Sequence, residues 1–332
     1  MELVRGLDNI TGQYRRPVVT LGNFDGVHMG HQKIFSEVVR RARDIDGTAI
    51  VMTFDPHPAV FINPQLQMKF LTPFEIKAQL IEHSGVDLLI CITFDKDFAS
   101  LGPEQFIHTV LVQQLGVAAV IVGHGFRFGR GKKGTTDNFR RLSKRFGFGF
   151  NVVRNVRRGG LVVSSSRIRE LLLTGDIDQT NHLLDRPYFI DGIVVKGKDR
   201  GGKCLGIPTA NLCCADEFLP CGGVYAVRAR VEDSLLVASA GATAPAIRAG
   251  TLEGVANVGL NPTFGDNELS CEVHLFDYSS DLVGATLRTY FIKRLRDEMT
   301  FESVDALKTQ INKDIHQARR LLKRHNRVYV NV

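Results

Sequence analysis

The chain has 332 residues, 44% of them hydrophobic and 23% charged, with a formal net charge of +7 and a pI near 9.1. This is the composition of an ordinary soluble globular protein, long enough for one or two domains with sizeable cores. No run of about 18 apolar residues occurs, which excludes a transmembrane helix, and Met1–Arg5 lacks the apolar core of a signal peptide. A cytoplasmic protein is therefore expected. The positive balance suits polyanionic ligands, nucleotides or nucleic acid, without choosing between them. With no Trp, RNA stacking lacks its largest platform, although 21 Phe are present.

In chain order, Val18–Leu21 reads as a buried strand. A turn with Gly22 and Gly26 follows, and Gly30–Ile45 reads as an amphipathic helix with Ile34, Val38, Val39 and Ala42 on one face. His28-Met29-Gly30-His31 thus stands at a helix N-terminus after a strand, where free N–H groups and the helix dipole favour phosphate. By itself the pattern serves equally as one structural histidine with turn glycines. Thr48–Phe54, Leu88–Phe94, Val117–Val122 and Phe148–Val156 are further predicted strands. Phe74–His83, with Pro73 at its first position, Pro103–Leu115, closed by Gly116, and Asn138–Phe146 are predicted helices. Such alternation predicts a doubly wound parallel sheet covered on both faces, with ligands beyond the carboxyl ends of its strands.

Two more segments fall at such ends. Gly123–Gly134 interleaves five glycines with four cations, among them Arg127, and suits a triphosphate, an RNA patch or a plain solvated loop. Ser164, Ser165 and Ser166, followed by Arg167, Ile168 and Arg169, open a helix predicted over Ile168–Leu173 and stopped by Gly175, either as an N-cap or as an anion site.

The period changes at Asp185-Arg186-Pro187, where the domain boundary is placed, giving domains 1–185 and 186–332. Short strands at Ile193–Val195, Gly223–Arg230, Gly254–Val258, Leu269–Phe276 and Leu287–Arg294 predict a small antiparallel barrel. A long terminal helix over Phe301–Lys323, capped by Ser303 or Thr300, follows. Between the first two strands, Gly197–Leu212 carries a basic Gly-rich loop and then Pro208, Thr209 and Asn211, whose two oxygen side chains suit Mg²⁺ held with nucleotide phosphates. A basic hairpin is the plain alternative. Glu232–Glu253 shows little pattern and reads as a hairpin and loop. The six cysteines, Cys91, Cys204, Cys213, Cys214, Cys221 and Cys271, form no Cys-x-x-Cys pair and read as reduced thiols.

The string Gly22-Asn23-Phe24-Asp25-Gly26-Val27-His28-x-Gly30-His31-Gln32 resembles the bacterial bifunctional riboflavin kinase/FMN adenylyltransferase (FAD synthetase) family. Gly123-His124-Gly125-Phe126-Arg127-Phe128-Gly129 and Ser164–Arg169 match further elements of its nucleotidyltransferase half. Thr53-Phe54-Asp55-Pro56-His57-Pro58 matches the element on the flavin side. Gly206-Ile207-Pro208-Thr209-Ala210-Asn211, Gly222–Ala226, Gly254–Gly259, Asn261–Gly265, Cys271–Asp277 and Arg294–Glu298 match the kinase half in order, so the resemblance spans roughly residues 15 to 320. Two departures occur: Ser166 replaces the usual Thr, and Gly125 a polar residue that contacts the nucleotide.

The resemblance implies a Rossmann-like nucleotidyltransferase domain followed by a riboflavin-kinase-like barrel, acting on ATP, riboflavin and FMN with Mg²⁺. It implies Glu272 as catalytic base and Thr209 and Asn211 as Mg²⁺ ligands. Gly197, Lys203, Gly206, Pro208 and Arg296 would bind nucleotide or flavin in the same half. It implies His28 and His31 as transition-state donors, with Gly22, Asn23, Phe24, Asp25, Gly30, Arg127, Ser164, Ser165, Ser166 and Arg169 around ATP, and Phe54, His57 and Pro58 on the flavin side. No nucleic acid or membrane partner is expected. The rivals are an RNA-binding or tRNA-modifying protein, motivated by the pI, the His-x-Gly-His and the basic segments Arg127–Arg145 and Arg319–Arg327, and a kinase or flavin carrier whose adenylyltransferase half is inactive, motivated by Gly125.

Overall fold

A computed structural model describes residues 1–10, 12–196, 207–232, 251–260 and 269–324. The chain divides into two compact units, one up to Ser165 and one from Ser166 onward.

The first unit is built on β1 (Glu2–Arg5), β2 (Val18–Leu21), β3 (Ala49–Asp55), β4 (Leu88–Thr93), β5 (Ala119–Gly123) and β6 (Gly149–Val153). These form one parallel sheet in the order β1-β4-β3-β2-β5-β6. Alternation sends neighbouring residues to opposite faces. Val18, Ala49, Ala119 and Ile121 pack with Ile34, Val38 and Ala42 of α1 (Met29–Asp44). Val19, Leu21, Ile50 and Met52 pack with Phe106, Ile107, Val110 and Phe139 on the other face. Both faces are therefore covered, which is why the strands read as continuous apolar runs.

Between β2 and β5 the winding direction reverses: β3 lies to one side of β2 and β5 to the other. Such a switch point opens a crevice at the carboxyl ends of the strands. The turn after β2 and the Gly-rich loop after β5 both leave the sheet there.

The other helices are α2 (Pro58–Ile62), α3 (Phe74–Glu82), α4 (Lys96–Ser100), α5 (Pro103–Phe106) and α6 (Thr136–Phe146). Several expectations are corrected. Pro73 is the N-cap of α3 and not its first helical residue. The helix expected over Pro103–Leu115 is α-helical only to Phe106 and continues as a π-helix over Ile107–Gln114. Wider winding leaves the same residues buried, so the apolar period cannot register it. A short hairpin, β7 (Arg157–Arg158) with β8 (Leu161–Val162), precedes α7 (Ser165–Leu173), which starts before the expected Ile168.

The second unit is a closed antiparallel barrel in the order β10-β13-β12-β11-β14-β9. Its strands are β9 (Tyr188–Val195), β10 (Ala210–Cys213), β11 (Gly223–Val231), β12 (Leu252–Leu260), β13 (Leu269–Leu275) and β14 (Thr286–Arg296). The terminal helix, α9 (Val304–Arg324), begins at Ser303, whose hydroxyl accepts from Ala306 N–H at 3.1 Å. Of the two expected caps, Ser303 is the one used.

Helix α8 (Ile177–Leu184) packs on the barrel: Asn181 donates to the Phe291 carbonyl at 2.9 Å and accepts from Tyr188 N–H at 2.7 Å. Cys221 N–H donates to the Leu172 carbonyl of α7 at 2.9 Å. These bonds tie α7 and α8 to the barrel, so the compact units divide ahead of the change of period at Asp185, where Asp185 itself ends α8 in a left-handed conformation. The barrel's wall carries a largely buried ion pair, with Glu232 3.5 Å from the same guanidinium. Arg288, 2% exposed, makes two 2.7 Å bonds to Asp191 directly opposite on β9, with the Phe189 ring 4.5 Å away. Burial opposes the charge on Arg288, but the bonded Asp191 outweighs it and holds the guanidinium protonated.

Among the described residues no helix is long and apolar enough to cross a membrane. Cys91, Cys213, Cys214, Cys221 and Cys271 are free thiols, and burial pushes Cys271 up to about 12. Cys204 and nearly all of Glu232–Glu253 lie outside the described residues.

The Arg288–Asp191 pair makes the first testable outcome. Replacing Arg288 with Met strands an enclosed carboxylate and should cost about 3 kcal/mol of stability, read as an earlier urea midpoint for the barrel. An unchanged midpoint would show that the pair contributes nothing.

Candidate functional sites

In the first unit, the turn after β2 leads straight into α1. Gly22 N–H donates to the Met52 carbonyl at 3.1 Å. Phe24 then adopts φ +49° and Val27 φ +38°, both in the left-handed region that non-glycine residues avoid. Phe24 is buried and its ring meets His31 edge-on at 5.2 Å and Phe35 at 4.9 Å. The Asp25 carboxylate accepts from Thr72 N–H at 3.0 Å, and Gly26 N–H donates to Thr72 Oγ1 at 2.9 Å. The Asn23 carbonyl accepts from Thr53 Oγ1 at 3.4 Å and from Lys77 Nζ at 3.2 Å.

His28 is the N-cap of α1: its Nδ1 accepts from His31 N–H at 3.3 Å. The two imidazoles stack, with centroids 3.6 Å apart and planes at 20°. A Cβ on Gly30 would stand 3.0 Å from His28 Cε1, so the glycine between the histidines is what lets the rings lie this close. Ser165 Oγ donates to the Asp25 carbonyl at 2.8 Å, which brings the serine segment to the turn. Ser164 precedes it. Ser166 and Arg169 lie along α7 in the second unit, where the Arg169 guanidinium sits 5.7 Å from the Phe218 ring.

Arg127 is exposed on the loop after β5. Its neighbours Phe126 and Phe128 stack at 5.6 Å and anchor the loop in the aromatic core, and Phe128 bridges to Gly134. A Cβ on Gly125 would meet open space, so nothing in the fold compels glycine there. On the β3 side, Phe54 is half-buried against Phe94 at 5.6 Å and Phe98 at 5.8 Å. His57 caps α2 by accepting from Ala59 N–H at 3.1 Å, and Pro58 is that helix's first residue.

In the second unit, strand register does the assembling. Asn211 pairs with Glu272, and Glu272 pairs with Asn257, so the three side chains form a row on one face of β10, β13 and β12. Cys271, Val273 and Leu275 alternate onto the buried face. The row borders a cavity of about 430 Å³, lined by Thr209, Asn257, Glu272 and Arg296 from the barrel and by Leu307, Ile311 and Asp314 from α9. The Pro208 carbonyl lies 2.8 Å from His274 Nδ1, which holds the segment carrying Thr209 against β13. Arg296 is clamped by Asp314, with contacts of 2.8 to 3.2 Å from its Nε and Nη2, and Gln310 fixes the same carboxylate at 2.8 Å. The Glu298 carboxylate lies against Gly259, where any Cβ would collide with it.

Glu272, Thr209 and Arg296 therefore share one cavity, with Asn211 beside Glu272 in register. Gly197, Lys203 and Gly206 lie outside the described residues, as do Asn261–Gly265. Asn257 and Asp314 were not singled out from the sequence. Asp314 had a signal, a carboxylate within the apolar stripe of α9 that is 3% exposed. Asn257 lies in the matched string Gly254–Gly259, but only cross-strand pairing sets it beside Glu272. Among the described residues no three His, Cys, Asp or Glu side chains gather as a metal site. A hard cation held by neutral oxygens and phosphates needs no such cluster, and neutral side-chain oxygens such as those of Thr209, just before β10, and Asn211, within it, are of the kind that suits Mg²⁺.

Comparison with known proteins bears on both sites. The FAD synthetase family model matches residues 11–167 and the riboflavin kinase model residues 184–322. The bifunctional riboflavin kinase/FMN adenylyltransferase of Pseudomonas fluorescens is 36% identical over 97% of this chain and 98% of its own. The protein of the same name from Escherichia coli K12 is 34% identical over 96% and 97%. A crystal structure from Streptococcus pneumoniae described as a macrolide-efflux protein superposes with a TM-score of 0.82 at 28% identity, covering 96% of this chain and 99% of that one. Its fold is this fold across both units, and the efflux description belongs to that protein. With both halves matched in order and close relatives aligned end to end, the chain belongs to the bifunctional riboflavin kinase/FMN adenylyltransferase family.

Proposed function

We propose that the chain makes FAD from riboflavin in two steps at two sites. In the barrel unit, the γ-phosphoryl of ATP passes to the ribityl 5′-hydroxyl of riboflavin, giving FMN and ADP. In the sheet unit, FMN attacks the α-phosphorus of a second ATP, giving FAD and pyrophosphate. The observation that carries this reading is Glu272, a carboxylate held in register between two asparagines at the wall of a cavity.

At the barrel site Glu272 takes the proton from the attacking hydroxyl as the new P–O bond forms. Arg296, held in place by Asp314, presents its guanidinium to the phosphates. Mg²⁺ bound with ATP at Thr209 and Asn211 would neutralise charge on the transferred group. At the sheet site no base is required, because the FMN phosphate is already an oxyanion near neutral pH. That site's work is positioning and charge stabilisation. The His28–His31 stack at the start of α1 donates to oxygens on the reacting phosphorus. The α1 N-terminus, Arg127 and Ser165 hold the departing pyrophosphate. Phe54, His57 and Pro58 face the flavin. The chain works in the cytoplasm, a reading supported by its free thiols. Its partners are small molecules, and no nucleic acid is assigned.

Replacing single residues separates the sites. Glu272→Gln should lower FMN formation from riboflavin by about a hundredfold or more and leave FAD formation from supplied FMN intact. His28→Ala and His31→Ala should do the reverse. Loss of both activities in a folded variant would contradict two independent sites. A finer test is Gly30→Ala, whose methyl group would press on the His28 ring. FAD formation should fall about tenfold or more with riboflavin phosphorylation unchanged, and a variant as active as wild type would show that the close stacking is dispensable.

A further inference from the structure

Lys77 is given no part in the chemistry assigned above. It lies in the first turn of α3, where its N–H donates to the Pro73 carbonyl, and its side chain runs inward to 7% exposure. Lysine is rarely buried to this degree without a task. Burial lowers its pKa, while Asp25, Cys91, Asp55 and Glu75 oppose that shift. The Phe74 ring lies 5.7 Å from its ammonium. Its hydrogen bond goes to the Asn23 carbonyl, in the turn that precedes the His28–His31 pair.

Within that turn Val27 N–H donates to the Phe24 carbonyl at 3.1 Å, yet the turn carries two disfavoured backbone conformations. Phe24 and Val27 occupy left-handed backbone conformations, each costing of order 1–2 kcal/mol. Further bonds reach it from elsewhere in the sheet unit. Thr72 engages Asp25 and Gly26, Lys77 and Thr53 engage Asn23, and Ser165 engages the Asp25 carbonyl. Thr72 and Lys77 stand five positions apart at the entry to α3. Together they form a clasp that closes on both ends of the Asn23–Gly26 arc.

We propose that Lys77, acting with Thr72, is a positioning residue for adenylyl transfer: its ammonium fixes the Asn23 carbonyl, so that the turn delivers His28 and His31 in a single arrangement. The inference rests on the reading of this turn as the adenylyl-transfer site. It assigns Lys77 no contact with the reacting atoms.

The test uses the full chain with Lys77→Met, which keeps the length of the side chain and removes its charge and donors. Thr72→Val keeps the volume and removes the hydroxyl, and serves alone if Lys77→Met does not fold. Rates of FAD formation from FMN and ATP are measured for each variant and for the pair. Riboflavin phosphorylation by the same preparations is the internal control. Each variant should lower kcat for FAD formation by about tenfold to a hundredfold, with the KM values for ATP and FMN little changed and riboflavin phosphorylation at the wild-type level. The double variant should lose less than the product of the single losses, because both residues act on one arc. A Lys77→Met protein with wild-type kcat, or one changed only in KM, overturns the inference while wild-type FAD formation stands. A wild-type protein that makes no FAD from FMN overturns the parent reading and this inference with it.

Discussion

The arc from Gly22 to His28 is held in a shape that its own residues disfavour. Phe24 and Val27 both have positive φ, and Val27 is β-branched, which makes the left-handed region costly. Such conformations persist only where the surroundings over-determine them. Here the Phe24 ring wedges between His31 and Phe35, and hydrogen bonds reach the arc from β3, from the entry to α3 and from the start of α7. The strain has a consequence for chemistry. It turns the chain sharply enough for α1 to begin at once beyond the carboxyl end of β2, with His28 as its cap and His31 stacked on it. A relaxed, longer turn would separate the start of α1 from the switch point of the sheet.

The barrel reaches its site by a different route. Alternation along β13 sends Cys271, Val273 and Leu275 inward and leaves Glu272 and His274 on the other face. Register then decides the neighbours of Glu272, and closure of the barrel fixes register on both sides. Helix α9 completes the cavity from outside the barrel, and its Asp314 carries the clamp on Arg296. The same helix therefore stabilises the unit with its apolar stripe and orients Arg296 at the cavity wall.

Much of this was legible in the residues. The apolar runs at Val18–Leu21 and Leu88–Thr93 signal buried parallel strands because both faces of the sheet are covered, and the apolar stripe of α9 is plain. Other parts had no local signal. Strand β1 has a single buried residue, Val4, and exists because its backbone pairs with β4. Strand β10 carries polar ligand-type residues and becomes a strand through pairing on both edges. The π-helical turn after Phe106 keeps the same residues buried as an α-helix would. At the sites, the histidine pair stands out by its place between a strand and a helix, whereas Glu272 is singled out by the family resemblance and not by local pattern. The roles of Asn257 and Lys77 are set by tertiary contacts that no spacing encodes.

The most direct test of the account is a product assay on the intact protein with Mg²⁺ and ATP, run separately with riboflavin and with FMN and resolved by chromatography. The two-site account predicts FAD from both substrates, with FMN as the intermediate when riboflavin is supplied. FMN from riboflavin without any FAD would contradict it and would mark the adenylyl-transfer half, where Gly125 departs from the family pattern, as inactive.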